Sequence, residues 1–210
     1  MKRLIRMFCV GLLLLPAAAR AAAVEEGRHY QELPFPQAVE TGAKIEVREF
    51  FWYGCPHCYS LEPVLSRWLK KLPKNAQFVR TPGTAPRWMT HAQAFYAFES
   101  LGVTAKVHEV FFGAVHEKRR ALDNENAIAD FIAEQGLSAK DFRQVFNSFG
   151  VSLRVERAKK LNQDLNIASV PTFVVDGRYL TSPGAAGGDE QMLKVLDFLI
   201  AKSARERPRR

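Results

Sequence analysis

Lys44-Ile45-Glu46-Val47-Arg48-Glu49-Phe50-Phe51-Trp52-Tyr53-Gly54-Cys55-Pro56-His57-Cys58-Tyr59 is the stretch on which the fold turns. Ile45, Val47 and the run Phe50 to Tyr53 make a β-rich segment bounded by Gly42 and Gly54, as expected of a central buried strand. Pro56 then stands at a helix start, where its missing N–H costs nothing. Leu61, Val64, Leu65, Trp68, Leu69 and Leu72 repeat at helical spacing until Pro73. At the junction lies Cys55-Pro56-His57-Cys58, which holds every cysteine of the chain except Cys9. A C-x-x-C pair in that place reads as a redox dithiol. Its first thiol meets the N–H groups and dipole of a helix N-terminus, which favour a thiolate. The second sits one turn on, close enough to close a small disulfide.

Other uses of the pair fit poorly. A structural disulfide across two residues removes almost no chain entropy from the unfolded state. Tetrahedral zinc needs four ligands, and no second cysteine pair supplies them. A c-type haem needs His after the second Cys, where this chain has Tyr59.

Residues 1–23 read as a secretory signal peptide. Lys2, Arg3 and Arg6 are its positive start, Met7 to Leu15 its apolar run, and Ala21 to Ala23 its cleavage region. The apolar run falls well short of the ~20 residues that span a bilayer. Cys9 leaves with this leader, and export suits disulfide chemistry, so a periplasmic location is expected. The formal charge of +8 resides at the two ends. The leader carries four of those charges, and Lys202 to Arg210 carry four more as a basic, frayed tail. The body over 24–201 is formally neutral, which argues against a nucleic-acid face. The length suits one domain, and 15 Phe suggest a bulky core.

Ala76 to Thr81 is a second strand. From Pro86 to about Asn166 the pattern changes to consecutive helices, with stripes such as Val107, Val110, Phe111, Ala114 and Val115. Ser138 with Asp141 resembles a capping box ahead of Phe142, Val145, Phe146 and Phe149. Strand signal returns at Thr172 to Val175 and Arg178 to Thr181, flanking the hairpin dipeptide Asp176-Gly177. A last amphipathic helix begins near Asp189. The fold class is therefore α/β, with an all-helical insertion.

On these residues the chain resembles the DsbA-type thiol:disulfide oxidoreductases of the thioredoxin-fold superfamily. The marks are Glu49-Phe50-Phe51, Cys55-Pro56-His57-Cys58-Tyr59, Lys70-Lys71-Leu72-Pro73, Asn147-Ser148-Phe149 and Val170-Pro171. The resemblance implies a thioredoxin-like catalytic domain from 24–84 and 167–202, an inserted helical domain over 85–166, and a basic tail over 203–210. Two departures stand out. Family members often carry Lys at the position of Arg80, whose pKa is too high for proton donation. The stretch Arg80 to Trp88 also differs from the best-known members, which bears on partner preference.

The resemblance implies a dithiol oxidase. Cys55 is the attacked sulfur, Cys58 the resolving one, and His57 with the helix end stabilises the Cys55 thiolate. Pro56 and the Val170-Pro171 loop, expected to be cis, face the dithiol and receive an extended client main chain. Two readings of Glu49 stay open from the residues alone: a buried proton acceptor for Cys58 tuned by Arg80, or an edge acid with its head in solvent. His29, His91, His108 and His116 read as solvated or satisfied side chains. No metal, nucleotide or organic cofactor is implied. Expected partners are reduced, unfolded exported polypeptides and a DsbB-type membrane quinone oxidoreductase, with no nucleic acid and a monomeric protein. A reductase or isomerase on the same fold is disfavoured by the Pro-His dipeptide. A metallochaperone using the dithiol for Cu(I) or Zn(II) is disfavoured because no Met-rich or His-rich cluster lies nearby.

Overall fold

The computed structural model describes residues 23–207; residues 1–22, which hold nearly all of the leader expected over 1–23, and residues 208–210 lie outside it. Strand β2 (Ile45–Phe51) is buried along its whole length. It pairs in parallel with β3 (Ala76–Pro82) and antiparallel with β4 (Thr172–Val175), with Val47 opposite Val175 and Glu49 opposite Phe173. Strands β5 (Tyr179–Thr181) and β1 (Gln31–Glu32) extend the sheet to the order β1-β5-β4-β2-β3. The right-handed logic of a strand, a helix and a parallel strand accounts for β2, α1 (Pro56–Leu69) and β3.

One face of the sheet is covered by α1 and the C-terminal helix α8 (Asp189–Glu206). Leu61, Leu65 and Trp68 of α1 pack there with Met192, Leu196 and Leu199 of α8 against Val47 and Phe173. The Trp68 indole N–H also donates to Asp197 at 2.8 Å, tying the two helices. Between β3 and β4 run a 3-10 turn (Pro86–Trp88) and helices α2 (Met89–Ser100), α3 (Thr104–His116), α4 (Glu125–Glu134), α5 (Ala139–Phe146) and α6 (Phe149–Asp164). This is the thioredoxin fold with its helical insertion. The aromatic core of the insertion, Phe95, Phe98, Phe111, Phe112 and Phe142, is continuous with Phe51, Tyr53, Cys55 and Cys58. The dithiol therefore sits where the two halves share one core.

Asp176 and Gly177 both have positive φ, 55° and 65°, as a two-residue hairpin requires. A Cβ at Gly177 would lie 2.1 Å from the Gln37 carbonyl oxygen. Gly177→Ala combines left-handed strain with that backbone collision. The expected loss is about 3 kcal/mol, read as a fall in urea midpoint with unchanged slope.

Several expectations are corrected. Phe149 is 81% exposed, because α5 stops at Phe146 and the Ser148 hydroxyl caps a new helix by accepting the Val151 N–H. That cap resets the helical phase. Val110 is likewise 44% exposed, at the edge of the α3 stripe. The start of the frayed basic tail is instead the last turn of α8, with Ser203 fully buried. Arg207 is pinned by Asp176 and the Ala43 carbonyl, and Glu206 accepts from Arg178 and Lys202. Those partners come from distant parts of the chain, so a local charge count could not reveal them. Strand β1, the 3-10 turn and α7 (Pro183–Ala186) were not anticipated, being too short to show a period.

Candidate active site

Cys55 has extended backbone, φ −88° and ψ 116°, and caps α1, which begins at Pro56. Its carbonyl accepts the first helical bond from the Tyr59 N–H at 3.1 Å, and its own N–H donates to the Trp52 carbonyl at 2.9 Å. Gly54 lets the turn close, since a Cβ there would sit 2.3 Å from the Trp52 ring. Trp52 in turn stacks on Trp88 with centroids 4.9 Å apart. The unusual stretch ending at Trp88 is thereby placed beside the dithiol.

Both cysteines are free thiols. The Cys55 thiol is lowered to about 6. The largest cause is a hydrogen bond from the Cys58 side chain; burial opposes it, while the N–H groups of Cys58 and His57 and the nearby His57 imidazole assist. Sequence reasoning credited the helix end and His57 and missed Cys58 as the main donor. Cys58 itself is fully buried, and burial holds its thiol far above the ordinary range, with the bond to Cys55 and the charge of Glu49 adding to the effect. The two sulfurs thus titrate in opposite directions. The Val170 carbonyl oxygen lies 3.4 Å from Cys55 Sγ, and the Val170–Pro171 bond is cis, as expected from the resemblance.

Glu49 is completely buried, which removes the reading of an edge acid with its head in solvent. Its Oε2 accepts from Arg80 Nε at 2.9 Å, while its Oε1 has no hydrogen-bond partner among the described residues. Burial pushes the carboxyl up to about 8; Arg80 opposes this and Glu62 reinforces it. Arg80 also donates through Nη2 to both oxygens of Glu62, each at 3.0 Å. His108 Nε2 lies 3.4 Å from Glu62 Oε1, and its Nδ1 lies 2.8 Å from the Tyr53 hydroxyl. Burial disfavours an ionised Glu62, but the His108 imidazole beside it and the bonds from Arg80 outweigh this and hold the carboxyl below its usual range. A polar chain thus runs from beneath Cys58 to α3.

Sequence reasoning placed Glu49 and Arg80 side by side but missed Glu62, His108 and the Tyr53 hydroxyl. A signal for Glu62 was present: it follows Cys58 by four residues and precedes Leu65 by three, an acid on the buried face of α1. Beside it, a cavity of about 420 Å³ between α1 and α3 is lined by Tyr59, Glu62, Ser66 and Phe112. His116 donates to the Tyr53 carbonyl at 2.8 Å and stacks on Tyr59. Among the described residues, no group of three or more His, Cys, Asp or Glu is gathered as a metal ion needs.

The DSBA-like thioredoxin domain family matches residues 84–193. The thiol:disulfide interchange protein DsbA of Pseudomonas aeruginosa is 42% identical over 190 residues, covering 90% of each chain. That of Pseudomonas syringae pv. tomato is 41% identical over 187 residues, covering 89% of this chain and 87% of that one. Among solved structures, Pseudomonas aeruginosa DsbA superposes with a TM-score of 0.83 at 42% identity, over 87% of this chain and 95% of that one. The DsbA oxidoreductase of Xylella fastidiosa gives 0.79 at 29% identity, over 84% and 96%.

Proposed function

The chain belongs to the DsbA family of thiol:disulfide interchange proteins, and from that premise we propose that it oxidises exported polypeptides with its Cys55–Cys58 disulfide. The observation that carries this direction is the opposed titration of the two sulfurs. A stabilised Cys55 thiolate favours the reduced protein, so the disulfide is readily given away.

In the client half-reaction, a client thiolate attacks Cys55 Sγ. The Cys55–Cys58 bond breaks with its electron pair on Cys58, which takes a proton from solvent through Glu49, leaving Glu49 protonated. A second client thiolate attacks the client sulfur of the mixed disulfide, and Cys55 leaves as a thiolate. Two electrons and the client's disulfide are thereby exchanged. In the return half-reaction the Cys55 thiolate attacks a disulfide of the reoxidising partner, Cys58 passes its proton through Glu49 to solvent and attacks Cys55, and the partner leaves as a dithiol carrying the two electrons. Arg80 stays charged throughout and tunes Glu49 without donating a proton. Pro56 and the Val170–Pro171 loop border Cys55, and the client main chain lies against Val170. The catalytic domain spans 24–84 and 167–202, with 85–166 inserted. The protein is exported by a leader cleaved near Ala21 to Ala23, works in the periplasm as a monomer without a cofactor, and is reoxidised by a DsbB-type membrane quinone oxidoreductase.

The first test is the reduction potential, from free-thiol counts in glutathione buffers. The expected value is near about −120 mV, for which DsbA is itself the reference case; about −270 mV would make the protein a reductase. A second expectation concerns pH. The folded Cys55 value of about 6 lies below the ordinary thiol value of about 8.5, so the folded reduced protein binds fewer protons than its unfolded chain between the two. The stability of the reduced form relative to the oxidised should rise with pH across that window and vanish as pH falls through about 6; above about 8.5 it should fall again, because the buried Cys58 thiol ionises only in the unfolded chain. Thermal melts of both redox forms from pH 5 to 9 measure this; parallel curves would contradict it.

A further inference from the structure

We propose that the Tyr53–His108 pair keeps Glu62 ionised and thereby places the buried cluster's single acidic proton on Glu49, making His108 a positioning residue for the dithiol. This rests on the reading of Glu49 as the proton-exchanging group beneath Cys58.

Glu49 and Glu62 flank one guanidinium in a buried site, so the cluster is one negative charge in excess unless it takes up a proton. Hydrogen bonding decides where that proton goes. Both oxygens of Glu62 already accept from Arg80, and a proton there would displace an accepted bond. Glu49 Oε1 accepts nothing, so a proton there displaces none.

His108 makes the asymmetry firm. With the Tyr53 O–H donating to Nδ1, the hydrogen of a neutral imidazole is on Nε2, which makes no hydrogen bond of its own and faces Glu62 Oε1 at 3.4 Å, so it favours the carboxylate by its N–H dipole. The opposite tautomer would point a lone pair at a carboxylate. The rings of Phe51, Phe95 and Phe112 surround the imidazole, and burial lowers its pKa, so it stays neutral and does not cancel the excess charge itself. The charged and titratable groups acting on it are Glu62 from α1, Arg80 from β3, Tyr53 after β2 and Glu109 on its own helix. His108 touches neither sulfur; it acts through Glu62, Arg80 and Glu49.

The test compares His108→Leu, His108→Gln, Glu62→Gln and Glu49→Gln, and the double variant Glu49→Gln/His108→Leu. Readouts are the thiolate absorbance of Cys55 against pH and the glutathione equilibrium of the disulfide. Losing the Nε2 donor lets Glu62 take the proton, so Glu49 ionises and repels the Cys55 thiolate. His108→Leu is expected to make the disulfide about three- to tenfold less oxidising and to raise the Cys55 midpoint in step. Glu62→Gln, which leaves Arg80 to Glu49 alone, should shift both in the same direction, and this arm serves if His108→Leu does not fold. His108→Gln restores a side-chain N–H and should behave nearly as the parent. With Glu49→Gln already in place, His108→Leu should change neither readout. An equal shift in that background, or a His108→Gln variant no better than His108→Leu, overturns the assignment to His108. Glu49→Gln alone mimics the protonated carboxyl and should leave both readouts near the parent while slowing disulfide exchange with a reduced peptide; if the exchange rate is unchanged, the reading of Glu49 fails, and this inference fails with it.

Discussion

Replacing Cys58 with Ala is expected to turn the protein from a catalyst into a trap for client chains. Without the resolving sulfur no Cys55–Cys58 disulfide exists, so turnover with a reduced peptide should fall below detection. Cys55 can still join a client in a mixed disulfide, visible on non-reducing gels. The same substitution removes the largest cause of the low Cys55 value, the Cys58 side-chain bond. The thiolate should therefore titrate well above about 6, leaving only the N–H groups at the helix start and His57 to stabilise it. Alkylation by iodoacetamide at pH 6 to 7 measures this, since the parent is about nine-tenths thiolate at pH 7 and an ordinary cysteine only a few per cent. If the midpoint stays near 6, the helix terminus and His57 suffice and the Cys58 bond is incidental.

Arg80→Met carries the largest expected cost in stability. Methionine keeps contact with Phe78, over which the guanidinium now lies, but leaves Glu49 and Glu62 buried with no cation between them. Breaking a buried pair from one side costs about 3–5 kcal/mol, because the remaining charge is uncompensated. Glu49 already lies above the unfolded value of about 4.3, and Glu62 can escape in the same way by taking a proton, which raises its folded value above that too. The folded variant then binds more protons than its unfolded chain, so its stability falls as pH rises through that value. Urea denaturation at pH 4.5 and pH 8 should show a modest deficit at the lower pH and the full deficit at the higher. A small, pH-independent loss would mean that water or another group compensates the carboxylates.

How much of this was legible in the chain depends on how local each signal is. Strand β2, the start of α1 and the Asp176-Gly177 turn are written in consecutive residues, and the structure places them where the pattern does. The helical phase across Asn147-Ser148 was misread because one serine hydroxyl ends the register, leaving Phe149 in solvent. Around the dithiol, Glu49 announced itself as an acid in an apolar strand. Its meaning depended on Glu62, eighteen residues from Arg80, and on His108, fifty-five from Tyr53. His108 resembles any histidine in an aromatic stripe until the fold sets it against a buried carboxylate. The anchoring of Arg207 by Asp176, thirty-one residues away, was hidden for the same reason.

The short distance between Cys55 and the Val170 carbonyl spans 115 residues of sequence. Strand β2 likewise finds its partner β4 only after the whole helical insertion. A chain emerging N-terminus first therefore displays its dithiol long before the loop that will border it. Closing so large a loop is slow compared with forming local helices. During that interval Cys55 lacks its finished surroundings and behaves as the thiol of a nascent polypeptide. The enzyme is in that sense born as one of its own substrates, and becomes an oxidant only when about the last fifth of the chain has arrived.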